Sequence, residues 1–239
     1  MNAVFFITSA INTKFGIFDS EQRLGQTMAT VASIRRHAAG AAIYWLEMSA
    51  EPLTDNQRKQ ILTVTDKLID FTTDATVKQL YHSSDNWDIV KNVNEVQCFQ
   101  RILTNLVNSQ QLDSYQRCFK ISGRYTLNEK FNAAYYSQHL VQNAIVLARR
   151  RASQFPPAIT GGITEQFMSR LWSWPTTLTA EIILGYQNGL EYMFERLGQG
   201  GYADIEHVLF QFLDHGKIIE LDAVGIQGRI GPNGVAVQD

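Results

Sequence analysis

The first seventy residues alternate two hydrophobic periods, and that alternation restricts the fold more than any other feature of the chain. "AVFFIT", from Ala3, is β-branched and aromatic, suits a buried strand, and runs into the small polar stretch Thr8-Ser9-Ala10. Leu24, Met28, Val31 and Ala32 then recur at helical spacing before "AAIYWLEM" restores a strand. In "LTDNQ", Thr54 and Gln57 stand at capping-box spacing and open a second helix, which leads into the strand-like "KLIDFT". Strand, helix, strand, helix, strand predicts an α/β domain around a mainly parallel sheet, because parallel neighbours need crossovers and helices supply them.

Beyond that point the signals are less regular. Residues 73–88, with "HSSDNWD", read as a polar surface loop, and Val96, Phe99, Leu103, Leu106 and Val107 mark a helix after it. Leu140, Val141, Ala144, Ile145 and Ala148 suggest another amphipathic helix, closed by a solvated Arg149-Arg150-Arg151. "QFPPAITGG" is a loop by its Pro and Gly content. A long helix carries Leu178, Ile182, Tyr186, Leu190, Phe194 and Leu197. A shorter one begins near Asp204, with Ile205, Val208, Leu209 and Phe212 inward and Gly216 as its stop. The tail reads as two strands around Pro232-Asn233-Gly234.

A chain of 239 residues with 45% hydrophobic and 18% charged residues can bury one large core, so a single domain spanning 1–239 is expected. The formal charge of -2 argues against a nucleic-acid partner. Cys98 and Cys118 are too few for a disulfide framework and point to reduced thiols in a cytoplasmic protein. The amino-terminal apolar run lacks a basic leader, and no stretch reaches the roughly 20 apolar residues of a membrane span.

The stretch "CFKISGRYTL" poses the functional question. Read as one strand, it turns Phe119, Ile121, Tyr125 and Leu127 one way and Lys120, Ser122, Arg124 and Thr126 the other, with Gly123 between. Alternate side chains stand about 6 to 7 Å apart, which suits cations bracketing a diphosphate, and Gly123 would admit a close approach. A strand with one solvated face explains the same pattern. The phosphate loop Gly-x-x-x-x-Gly-Lys, the nucleophile elbow Gly-x-Ser-x-Gly and the zinc motif His-Glu-x-x-His do not occur.

"FKISGRYTLNEKF" after "NVNEVQCFQRIL", together with "IEHVLFQFL" and "VGIQGRIGPNG", resembles bacterial and viral glycosyltransferases of the GT-A-like fold, including proteins of lipopolysaccharide and capsule synthesis. The resemblance implies a Rossmann-like, mainly parallel central sheet flanked by helices, with a C-terminal helical segment and β-hairpin. It implies transfer of a sugar from a nucleotide-sugar donor, a UDP-sugar first among them, to a hydroxyl of a saccharide acceptor. Residues 1–130 would bind the donor and 131–239 the acceptor. On the donor side this places Thr8, Ser9, Asp70, Lys91, Asn94, Lys120, Ser122, Gly123, Arg124 and Tyr125. Asp74 is an alternative to Asp70.

Glu206 would then be the general base for the acceptor, with Trp172 and Trp174 as a sugar platform. Taken alone, Asp204 and Glu206 read as a helix cap and a dipole partner, and the two tryptophans as core. Many proteins of this fold hold a divalent metal, Mn or Mg, with an Asp-x-Asp motif, and this chain has none. Either Lys120 and Arg124 substitute for the metal charge, or scattered carboxylates and a histidine, His207 or His215, hold one. A glycosyltransferase-shaped interaction protein without donor chemistry is the alternative reading.

Overall fold

A computed structural model describes residues 2–230 and 234–239. In chain order its elements are β1 (Ala3–Ser9), α1 (Ser20–His37), β2 (Ala42–Glu47), α2 (Asp55–Val64), β3 (Lys67–Asp70), α3 (Ala75–Ser83) and α4 (Trp87–Asn108). Then follow β4 (Arg117–Ser122), β5 (Tyr125–Leu127), β6 (Ile145–Ala148), β7 (Arg151–Ala152), α5 (Pro157–Thr160), β8 (Glu165–Gln166) and β9 (Leu171–Pro175). The remainder forms α6 (Thr179–Gly198), α7 (Ile205–Phe212), β10 (Ile218–Leu221), β11 (Ile226–Arg229) and β12 (Ala236–Gln238).

Seven strands form the central sheet in the order β10-β6-β9-β4-β1-β2-β3. β1 runs parallel to both β2 and β4, β2 to β3, and β10 to β6, while β9 is antiparallel to its neighbours β4 and β6. The expected α/β sheet is therefore present, with one antiparallel strand set into it. β1 is buried along nearly its whole length because both faces are covered, which is why its sequence is continuously apolar. On one face Phe6 packs against Phe99 of α4 and Trp174 of β9. On the other Phe5 stacks on Phe119 at 4.4 Å.

Capping fixes the helix starts that lead into the site. Asp19 and Gln22 form a capping box at α1, and Thr54 and Gln57 form the expected one at α2. Asp204 caps α7 by accepting from the His207 amide. Several expectations are corrected, among them the "QFPPAITGG" loop, which contains α5. Residues 73–88 contain α3, nucleated by Asp74 accepting from the Thr76 and Val77 amides. The Leu140–Ala148 segment is turn followed by β6, whose four residues are buried on both faces and so carry no strand alternation. The three arginines after it close no helix: Arg149 pairs with Asp222, Arg150 with Glu220 and Arg151 with Asp239.

The stretch from Cys118 to Leu127 is not one strand. It breaks at a turn over Gly123 and Arg124, so β4 belongs to the central sheet and β5 to a three-stranded sheet in the order β12-β11-β5. β11 and β12 pair antiparallel as the expected hairpin, although Pro232 and Asn233 of the expected turn lie outside the described residues. No helix among the described residues is long and apolar enough to cross a membrane.

Candidate functional site

A cleft of about 620 Å³ opens over the carboxyl ends of β1, β2 and β4, where open α/β sheets place their ligands. Its walls include Thr8 and Ser9, Lys91, Asn94 and Glu95 from α4, Ser122 through Tyr125, Ser169 and Arg170 before β9, and Asp204 and Glu206 at α7. Residues far apart in the chain meet here because β9 returns beside β4 and delivers residues 168–170 to the same end of the sheet.

The loop after β1 is held from beneath. Glu47, fully buried at the end of β2, accepts from Ser9 Oγ at 2.6 Å and from the Ile11 amide at 2.8 Å. Burial pushes the Glu47 carboxyl up, against the hydrogen bonds it accepts. Arg23 of α1 donates to the carbonyls of Phe18, Ala10 and Phe15, tying the loop to the helix. Burial lowers the Arg23 pKa, and the neighbouring guanidinium of Arg124 lowers it further.

Two adjacent guanidiniums are costly unless an anion offsets them. Arg124 stands at the turn that ends β4, and its buried Nε has no hydrogen-bond partner among the described residues. Arg170, on the same wall, lies 5.7 Å from the Tyr125 ring and is held by Asp239. This end of the cleft is cationic and unsatisfied, which is the chemistry a diphosphate needs.

Lys120 lies elsewhere. It is fully buried beneath the cleft, with Nζ at 2.6 Å from Glu95 Oε1, 3.0 Å from Ser122 Oγ and 2.9 Å from the Ser169 carbonyl. Its three donors are all used, so it fixes the floor and does not meet a ligand. Burial opposes the charge of Glu95, but Lys120 and Lys91 outweigh it and hold that carboxyl below its ordinary value. Thr8 Oγ1 donates to the same Glu95 oxygen at 3.2 Å, joining β1 to this buried pair. Gly123 leaves room for α1 more than for a ligand: a Cβ there would lie 2.7 Å from Thr27 Oγ1.

At the other end carboxylates gather. Ser169 Oγ donates to Glu206 Oε1 at 2.5 Å. Burial, with the charge of Asp204 added, lifts Glu206 above its ordinary carboxylate value. Burial also raises Asp88. For Asp204 the His207 hydrogen bond and charge overcome the burial that opposes them, and its pKa is lowered. A carboxyl whose pKa is raised by burial accepts a proton more readily than an exposed one, which suits it to moving a proton.

The cleft thus brings together Thr8, Ser9, Lys91, Asn94, Ser122, Gly123, Arg124, Tyr125 and Glu206. Asp70 does not line it; that carboxylate accepts from Arg58 and from the Thr72 amide. Trp172 and Trp174 are corrected: at 1% and 0% exposure they are core, packed on each other and on Tyr186, and offer no face to a sugar. His207 is engaged by Asp204 Oδ1 at 2.5 Å and Ser153 Oγ at 2.8 Å, and His215 by the Phe210 carbonyl. Among the described residues no group of three or more His, Cys, Asp or Glu side chains is arranged to hold a metal.

Arg23, Glu47, Glu95, Arg170 and Asp88 escaped the sequence reading. Glu47 had a usable signal, a charge closing the apolar run "AIYWLE" at the ligand-bearing end of a strand, whereas Arg170 precedes its strand and reaches the cleft only because β9 runs antiparallel.

The helices flanking a central, mostly parallel seven-stranded sheet match a GT-A-like fold. The solved core-mannan synthase A (CmsA/Ktr4) of Aspergillus fumigatus, in its Mn/GDP form, superposes with a TM-score of 0.51 at 10% identity, over 98% of this chain and 77% of that one. No family model matches the chain, and no curated protein does.

Proposed function

We propose that the protein is a glycosyltransferase that moves a sugar from a nucleotide sugar to a hydroxyl of a saccharide acceptor. The observation that carries this is the buried Nε of Arg124, unpartnered among the described residues, beside Arg23 at the carboxyl end of β4, within a GT-A-like fold. In this reading the nucleoside lies along Thr8, Ser9 and the loop below them, and Arg124 with Arg170 holds the diphosphate. Glu206 takes the proton of the acceptor hydroxyl as its oxygen bonds to the anomeric carbon. The bond from that carbon to the diphosphate oxygen breaks, and the nucleoside diphosphate leaves with the electron pair, its charge offset by the arginines. Residues 1–130 supply most of the donor wall, and 131–239 supply Glu206 and Ser169.

A metal fits poorly, since the cleft offers no ligand cluster among the described residues, and no step is assigned to one. The donor screen tests both points. UDP-, GDP- and CDP-sugars are titrated in chelator and then with manganese; the GDP in the fungal enzyme makes GDP-sugars as worth testing as UDP-sugars. Binding in chelator is expected, with slow donor hydrolysis. Absence of binding at millimolar concentration in both conditions sinks the enzyme reading. Binding only with manganese refutes charge neutralisation by arginine. The missing Asp-x-Asp favours a second reading, a binding protein of this fold without turnover, which any donor turnover eliminates.

A further inference from the structure

The mouth of the cleft carries an aromatic ring with nothing on it. Trp87, the first residue of α4, lines the cleft at 38% exposure, and its indole has no hydrogen-bond or ring partner among the described residues. Beside it Asp88 follows in the helix, and Asn92 lies one turn on. Asn92 is 1% exposed, donates through Nδ2 to the Asp88 carbonyl and to Tyr202 Oη, and has a buried Oδ1 without a partner among the described residues. An uncovered indole in a cleft that the same helix also lines with a carboxyl, Asp88, and an unpartnered amide oxygen, Asn92 Oδ1, suits one ligand chemistry. Sugar rings lay their C–H faces on aromatic rings while their hydroxyls donate to oxygen acceptors at the edge.

Charge narrows the class. Asp204 acts on both Asp88 and Glu206, three carboxyls with Lys91 as the cation near them all, while Arg23, Arg124 and Arg170 line the same cleft. An anionic acceptor would meet repulsion here, and a neutral one would not. We infer that Trp87, with Asp88 and Asn92, forms the acceptor platform, and that it takes a neutral saccharide. This deepens the proposed function and rests on it.

Fluorescence makes the platform visible. Trp45, Trp172 and Trp174 are at most 1% exposed, so acrylamide quenches chiefly Trp87. Malto-, manno- and galacto-trisaccharides should lower the quenching constant at least about twofold, and an oligogalacturonate of equal length should not. By calorimetry, Trp87→Ala should weaken the protecting saccharide about tenfold, while Trp87→Phe retains most of the affinity. Equal protection by the uronate overturns the neutral class. Nucleotide binding without saccharide protection, or unchanged affinity in Trp87→Ala, overturns the platform and leaves the glycosyltransferase reading standing. Protection of Trp87 in a protein that binds no nucleotide sugar sinks that reading and the acceptor role with it, and leaves a saccharide-binding face.

Discussion

Lys120 and Arg124 look alike in the sequence, two cations four residues apart, yet the structure gives them opposite tasks. Lys120, itself fully buried, neutralises Glu95, and Arg124 has a buried Nε without a partner among the described residues at the cleft. Removing one partner of a buried pair strands the other, at a cost of about 3 to 5 kcal/mol. Lys120→Met should therefore lower stability by that order in urea unfolding. Arg124→Ala should leave stability nearly unchanged, since it also relieves repulsion with Arg23, while raising the dissociation constant for nucleotide about ten- to a hundredfold. Interchanged results would assign Arg124 to the fold and Lys120 to the ligand. A period-two pattern set both on one face of a single strand and could not show that the chain turns at Gly123 and Arg124, which leaves Lys120 inside β4 and Arg124 at the turn. For Trp172 and Trp174 the residues taken alone already read as core, and it is the resemblance that made them a platform; their ring partners Phe6, Phe99 and Tyr186, from distant elements, close that core.

Elements that were legible are those whose caps and stripes are local. The Thr54–Gln57 box and the Asp204 cap needed no tertiary information, whereas β6 borrowed a helical look from a short, wholly buried strand, and α3 was masked by polar residues on its exposed side. The first turn of α7 sets two carboxyls against each other. Asp204 is held down by His207, and Glu206 is held up by burial and by the charge of Asp204. Because the folded pKa of Glu206 lies above the ordinary 4.5, the native state binds more protons than the unfolded chain between those values. The stability of the wild type relative to Glu206→Gln should thus fall as pH rises from 4.5 through that window, measured by urea unfolding at each pH. As a base Glu206 must be ionised, so the acid limb of kcat/KM should lie above the ordinary carboxylate range. Glu206→Gln should remove the limb and reduce transfer by about 10²- to 10⁴-fold with donor affinity kept. A variant with full transfer and an unchanged limb would make Glu206 a helix-dipole residue.

At the scale of the molecule, residues 1–130 and 131–239 share one central sheet and one core and are not separate folding units. β9, from the second half, lies between β4 and β6, pairing along Arg117 to Ile121 of β4. Its Trp174 packs on Phe6 of β1 and Phe99 of α4, so any cut near residue 130 opens the core. The smaller sheet crosses the same boundary, since β5 pairs with β11 about a hundred residues later. Asp239 then ties β12 back to Arg151 and to Arg170 on the cleft wall. Long-range pairings of this kind contribute only when both segments are in place, because each must offset the closure entropy of the chain between them. Far-UV circular dichroism and tryptophan fluorescence should accordingly report one coincident unfolding transition, the indoles at 45, 172 and 174 being buried in both halves. A 1–130 fragment, although long enough for a domain, should show no cooperative transition, because β4 would expose the edge that β9 covers. Two separated transitions, or a fragment that unfolds cooperatively alone, would show that the cleft is an interface between two domains and that its arginine and carboxylate ends can move apart.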